Sequence, residues 1–281
     1  MHGMIPHMLR LLLILCALWF SRQVLAAPEK TLHLVLSASE TGFDPVTTSD
    51  LNTASIEEQI FDSLLTYDYL ARPAKLVPRL AARMPVVTDQ GRTWLFTLKR
   101  GVHFSPDPVF HGKMREVTAQ DVVYTLMRFM DPGNRSPYKF LVEGKIVGLD
   151  EREAAARKSG HFDYDTPVPG LQVVDRYTLR VRLKTTDYNF GHAMAQPMYG
   201  IVAREVIEAY GADTASHPVG TGPYRLDRWT RASRIVLARN PNYRHEVWDF
   251  DPGQDPDSQQ IARVMRGKVI PQIDRIDIQI V

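Results

Sequence analysis

The chain has one cysteine among its 281 residues, Cys16, and it falls inside an apolar stretch near the N-terminus. Once that stretch is removed, a disulfide framework and a nucleophilic thiol are both excluded. Leu15 before Cys16 and the apolar run after it also argue against a lipid-modified cysteine. Charge of one sign is missing as well. The formal net charge is +2, Arg10 and Arg22 supply that surplus, and no polybasic run follows, so nucleic acid is not an expected partner. Catalytic signatures are absent too: there is no Gly-x-Ser-x-Gly elbow, His-Glu-x-x-His pair or phosphate-binding loop. Gly220-Thr221-Gly222 is followed by Pro223, which blocks the helix a dinucleotide pyrophosphate needs. His103 and His111 stand at no metal-ligand spacing. The expectation is a protein that is not an enzyme and carries no cofactor or metal.

What the sequence does have begins with a targeting segment. Residues 2–10 are weakly basic, residues 11–20 are an apolar core, and Val24-Leu25-Ala26 offers a small-x-small cleavage site. The apolar run is too short to span a bilayer comfortably, so residues 1–26 read as a cleaved signal peptide on an exported protein. Hydrophobic content of 44% and charged content of 23% belong to a soluble globular chain. A domain of this size can live on its core without disulfides.

The periodicities mix strands and helices irregularly. Leu32, Leu34 and Leu36 alternate in a first strand, with His33 facing out. Ser55-Ile56-Glu57-Glu58 reads as a capping box that starts a helix whose apolar face runs through Ile56, Ile60, Phe61, Leu64 and Leu65. Trp94, Phe96 and Leu98 alternate in another strand after the turn Asp89-Gln90-Gly91, and Val102 to Phe104 reads as the start of the next. Thr118-Ala119-Gln120-Asp121 caps a second helix with Val122, Leu126, Phe129 and Met130 on its buried face. Residues 151–160 are helical but polar, and Leu179, Val181 and Leu183 face one way along a strand. Residues 204–210 form a short helix ended by Gly211. Residues 218–243 then give a turn at Gly220-Thr221-Gly222-Pro223, a hairpin, and a closing turn at Asn240-Pro241. Residues 246–260, acidic and rich in proline and glycine, read as a surface loop, and Ile273, Ile276, Ile278 and Ile280 as a last strand. Pattern alone gives an α+β or irregular α/β protein.

The order of these motifs resembles the family 5 extracellular solute-binding proteins of bacterial peptide-type ABC importers. Phe43-Asp44-Pro45, Ile60-Phe61-Asp62-Ser63-Leu64-Leu65 and Leu76-Val77-Pro78-Arg79-Leu80-Ala81 each resemble a family element. So do the run from Trp94 to Phe104, the helix start at Thr118-Ala119-Gln120-Asp121, Asp131-Pro132 with Ser136-Pro137-Tyr138, and Gly220-Thr221-Gly222-Pro223 with Asn240-Pro241-Asn242-Tyr243. The last of these resembles a hairpin near the family's hinge.

The resemblance implies a periplasmic, mixed α/β clamp of the class II binding-protein type. It places residues 27–60 and 204–281 in a first lobe, residues 61–203 in an inserted subdomain, and leaves the second ligand-binding lobe absent. It implies a monomer that captures extended peptides between lobes and delivers them to a membrane ABC permease. A truncated chain then offers one wall of the cleft and binds weakly or not at all. Tyr138 matches a tyrosine lining the peptide cleft of oligopeptide-binding members, and Ser49 and Leu51 fall where those members touch ligand. The residue types at 49 and 51 differ from the oligopeptide pattern, which leaves another small solute, a metal chelate or haem open as ligand. A one-lobed remnant with a sensory role or none is the other alternative.

Overall fold

The computed structural model describes residues 29–281, so the expected signal peptide and Cys16 lie outside the described residues. The chain order is β1 (Thr31–Leu36), α1 (Leu51–Ile60), β2 (Leu65–Tyr67), β3 (Leu76–Pro78), β4 (Val86–Thr88) and β5 (Thr93–Thr97). Next come α2 (Ala119–Arg128), α3 (Leu149–Ser159), β6 (Leu171–Asp175), β7 (Thr178–Arg182), the single turn α4 (Phe190–Ala193) and α5 (Arg204–Tyr210). The chain continues with β8 (Tyr224–Thr230), β9 (Arg234–Arg239), β10 (Glu246–Val247), α6 (Pro256–Met265), β11 (Val269–Ile270) and β12 (Arg275–Ile280).

Two four-stranded sheets organise these elements. The first has the order β1-β12-β9-β8 and the second β4-β5-β7-β6. In the first, β1 runs parallel to β12, from Thr31 opposite Arg275 to Leu36 opposite Ile280, and β9 runs antiparallel to both β12 and β8. It is mixed for a physical reason: β8 and β9 close through a tight hairpin, whereas β1 reaches its parallel neighbour only through the whole intervening chain. The second sheet is antiparallel throughout. Short ribbons β2-β3 and β10-β11 stand apart from both.

Each sheet buries its alternate residues against one helix. Ile235, Leu237, Ile276 and Ile278 lie against Ile56 and Ile60 of α1, with Phe43 and Tyr224 closing the layer. Trp94, Phe96, Leu179 and Val181 lie in a second core with Val122 and Leu126 of α2. Burying one such side chain fully stabilises the fold by roughly 1.5–3 kcal/mol. The capping box of α2 is present, with Thr118 and Asp121 satisfying each other's backbone.

Four expectations need correction. Helix α1 does not start at Ser55: Asp50 is its cap and accepts the Thr53 amide, while the Ser55 hydroxyl bonds back to the Leu51 carbonyl at 2.8 Å. An aspartate offers its oxygen at the same place a serine would, and it comes first in the chain. The helix also ends at Ile60, so Leu64 and Leu65 are buried in the α2 core and not on α1. Val102 to Phe104 makes only an isolated bridge between His103 and Glu116. Residues 246–260 are not one loop, because they hold β10 and the start of α6, where Asp255 caps the Ser258 amide and Pro256 takes the first turn. Asp-Pro is a helix-start signal as well as a turn signal.

Candidate functional site

Helix α1 crosses the first sheet and has two contrasting ends. Its N-terminal end lies beside the carboxyl ends of β1 and β12: Asn52 Nδ2 reaches the Ala38 carbonyl, and the Val281 amide bonds to the Leu36 carbonyl. Its C-terminal end meets the turn before β8. Over ten residues the two ends stand about 15 Å apart.

At the N-terminal end the chain turns between Gly42 and Asp50. Gly42 has φ +124°, and a side chain there would meet the Ala215 Cβ at 2.9 Å, so glycine is required for close approach as well as for conformation. Phe43 is fully buried, edge-on to Trp229 at 4.9 Å. Asp44 is buried and bound by both terminal guanidinium nitrogens of Arg128 on α2, at 2.8 and 2.7 Å. Burial pulls the Arg128 guanidinium down, and the Asp44 bonds more than offset this, leaving it above its usual range. The Asp44 carbonyl gathers the amides of Thr47 and Thr48 at 2.9 and 3.2 Å. Thr48 Oγ1 lies 2.7 Å from Glu57 Oε1 and 3.2 Å from that same carbonyl. Asp50 caps α1 and also receives the Thr41 hydroxyl at 3.0 Å. The turn is thus fixed from inside by Asp44, Thr48 and Asp50. Ser49 and Leu51 point outward, Leu51 with 86% of its surface exposed.

Tyr138 lies on a different segment. Residues 131–138 follow α2 and fold back on it, with Asn134 Nδ2 on the Arg128 carbonyl at 2.8 Å and the Tyr164 hydroxyl on Asp131 at 2.7 Å. The Tyr138 ring is partly buried against the second core, 6.3 Å from Phe140, which is 61% exposed. Arg128 is therefore the strut for both segments: its side chain holds the turn bearing Ser49 and Leu51, and its carbonyl holds the segment leading to Tyr138. No hydrogen bond or ring contact joins Tyr138 directly to Ser49 or Leu51 among the described residues.

The other end of α1 is built for packing. A Cβ on Gly220 would fall 2.0 Å from the Ile60 carbonyl oxygen, and one on Gly222 would fall 2.6 Å from the Gln59 carbonyl oxygen. The Gly222 amide bonds to Ile60 at 2.8 Å, and Asn240 Nδ2 bonds back to the Gly222 carbonyl at 2.9 Å. Just beyond α1, Asp62 is fully buried between Arg79 at 2.5 Å, Arg244 at 2.6 Å and the Thr221 hydroxyl at 2.9 Å. Burial pushes this carboxyl up, but the two guanidiniums pull it further down, so it stays well below the usual carboxylate range. Three motifs that are separate in the sequence, around Asp62, Arg79 and Thr221, converge on this one ion pair. Arg244, directly after Asn240-Pro241-Asn242-Tyr243, completes it.

Among the described residues one cavity of about 520 Å³ is lined by Val123, Met127, Tyr164 and Leu171, and another of about 330 Å³ by Arg79, Tyr243, Phe61 and Pro223. Ser49, Leu51 and Tyr138 line neither. Among the described residues no three His, Cys, Asp or Glu side chains group as a metal site, and no helix is long and apolar enough to cross a membrane.

Residues that sequence reasoning missed are Arg128, Glu57 and Arg244. Each is an ionisable residue whose partner is remote or unmarked; Arg128 meets Asp44 from 84 positions away.

Residues 75–281 match the family described as bacterial extracellular solute-binding proteins, family 5, middle. The chain belongs to that family. Among curated relatives, it is similar to the periplasmic oligopeptide-binding protein OppA of Escherichia coli, 28% identical over 78% of this chain and 38% of the relative. It is similar also to a di/tripeptide-binding protein of Pseudomonas aeruginosa, 29% identical over 86% of this chain and 43% of the relative. Among solved structures, peptide-bound OppA of Listeria monocytogenes superposes with a TM-score of 0.67 at 20% identity, covering 91% of this chain and 43% of that one. The pheromone receptor PrgZ gives 0.68 at 20% identity, covering 90% and 43%. The fold is therefore that of part of a class II binding-protein clamp, and the chain spans less than half the length of these relatives.

Proposed function

We propose that this chain is the substrate-binding component of a peptide-type ABC importer in the periplasm, and that its described residues form one wall of an interlobe peptide cleft. Family membership carries this reading, together with relatives named for binding oligopeptides and di- or tripeptides. Residues 27–60 with 204–281 form the first lobe, and residues 61–203 the inserted subdomain. Ser49, Leu51 and Tyr138 face the ligand, and the Gly220-Thr221-Gly222-Pro223 turn is structural.

The chemistry of the wall fits a ligand held mainly through its own backbone. The three residues assigned to face the ligand are a serine hydroxyl, an exposed aliphatic side chain and a half-buried tyrosine, and none of the three carries a charge that would demand one ligand sequence. An extended peptide pairs its main chain with exposed strand and loop edges, and water fills the side-chain space at little cost. A second wall excludes solvent and completes the polar contacts; closure then presents a distinct shape to a membrane permease. One wall alone leaves those contacts wet and pays the full loss of ligand freedom, so its affinity is low. Thermal melting of residues 27–281 with excess tri- to pentapeptides tests this. No shift above that of a scrambled small-solute control is expected. A shift corresponding to micromolar affinity contradicts the one-wall reading.

A further inference from the structure

We propose that Glu57 is a positioning residue for the turn bearing Ser49 and Leu51, acting as a neutral carboxylic acid whose proton bridges α1 to Thr48. Its bearing on ligand capture rests on the reading above that those two residues face the peptide; the state of Glu57 and its hold on the turn do not.

Glu57 has no exposed surface. Among the described residues Thr48 Oγ1, 2.7 Å from Oε1, is its one hydrogen-bond partner, and Oε2 is buried with none. That distance is typical of O–H···O bonds. An ionised Glu57 would leave one anionic oxygen unbonded in a buried site, the costliest outcome for a buried polar group. The charged groups that face it make this worse. Asp44 on the turn and Asp50 at the helix cap are both acidic and both raise its proton affinity, as burial does more strongly. Arg128 from α2, which holds the turn, spends both terminal nitrogens on Asp44. Among the described residues Glu57 takes part in no ion pair.

The neutral acid resolves the proton count. A hydroxyl has one hydrogen and can donate to one acceptor at a time, yet Thr48 Oγ1 lies within reach of both Glu57 Oε1 and the Asp44 carbonyl. With the proton on Oε1, Glu57 donates a hydrogen bond to Thr48 Oγ1, and the Thr48 hydroxyl donates its own to the Asp44 backbone carbonyl. Oε2 is then a carbonyl-like acceptor, much cheaper to leave unbonded than an anion. The chain Glu57 to Thr48 to Asp44 ties the inside of the turn to the helix beneath it. Losing the proton removes the donor and sets a buried anion beside Asp44 and Asp50, which loosens the turn and moves Ser49 and Leu51.

The test uses the full chain without peptide. The Glu57 carboxyl carbon resonance is followed against pH, together with hydrogen-exchange protection factors at Thr47 and Thr48, whose amides bond to the Asp44 carbonyl inside the turn. The expected result is a Glu57 resonance still in its protonated position after the exposed carboxylates have titrated, and protection that falls about tenfold or more as it does titrate. Glu57→Gln, whose amide can donate to Thr48, keeps the protection and abolishes the pH step; Glu57→Ala lacks the protection at every pH. Titration of Glu57 with the exposed acids overturns the proposal, and so does a Gln variant no better protected than Ala. If the Ala variant fails to fold, the wild-type titration and the Gln variant decide the matter alone. Should Ser49 and Leu51 prove remote from peptide, these readouts stay unchanged, so the two failures are separable.

Discussion

Glu57, inside α1, and Asp62, just beyond its end, are both acids with no exposed surface, and the molecule treats them in opposite ways. Asp62 is surrounded by donors: Arg79, Arg244 and the Thr221 hydroxyl hold it as an anion at the junction of three chain segments. Glu57 has one hydroxyl, two acidic neighbours and an unbonded oxygen. Burial is the same and partners differ, so charge state follows from partners. The saturated acid sits at the end of α1 where glycines allow backbone to touch backbone. The sparsely bonded one sits under a turn that carries exposed side chains. One end is built to hold still and the other to be set.

The largest effect should come from breaking the saturated site. Asp62→Ala leaves two partly buried guanidiniums without their buried anion and is expected to cost about 3–5 kcal/mol in urea unfolding. A loss below about 1 kcal/mol would mean the cluster is relaxed by water and is no structural core. Gly220→Ala comes next. Its Cβ would overlap the Ile60 carbonyl, which is backbone and cannot swing aside, so a loss of about 2–3 kcal/mol is expected from the unfolding midpoint.

The pH dependence separates the two acids by sign. The folded value of Asp62 is depressed, so its contribution is complete above the unfolded value of about 3.9 and is lost as pH falls below it toward the folded value. The folded value of Glu57 is raised, so its contribution is complete below the unfolded value of about 4.3 and is lost as pH rises through the folded value. Unfolding curves across pH should therefore lose their acid-side slope in Asp62→Asn and a neutral-side slope in Glu57→Gln, each on the order of 1 kcal/mol per unit of pH within its window. Parallel curves for Glu57→Gln and the wild type would erase the contrast. The smallest effect on folding belongs to Leu51→Ser. With 86% of its surface exposed, the change should stay within about 0.5 kcal/mol, and a larger loss would make Leu51 a packing residue.

Much of the first sheet could be read directly from the chain. The isoleucine alternation of β12 and the hairpin of β8 and β9 depend on period-two patterns and turn residues, which are local properties. The same holds for Trp94 and Phe96 in β5 and for the Thr118 cap of α2. The start of α1 was misread because Asp50 and Ser55 both offer a cap, and only the chain direction beyond Asp44 selects between them. Helix α6 was hidden because Ala262 and Ser258 are its buried residues, too small to show an apolar stripe. The candidate site was less legible. Ser49, Leu51 and Tyr138 came from family resemblance. Arg128 and Glu57, which support the turn, look like solvated helix positions until distant partners are placed beside them.

The most direct test of the contrast between the two ends of α1 is a map of backbone amide shifts as millimolar tripeptide is added to residues 27–281. The account predicts graded, fast-exchange shifts at Ser49, Leu51 and Tyr138, with Gly220, Thr221 and Gly222 unmoved. Shifts centred on Gly220 to Gly222, or none at Ser49, Leu51 and Tyr138, would contradict it.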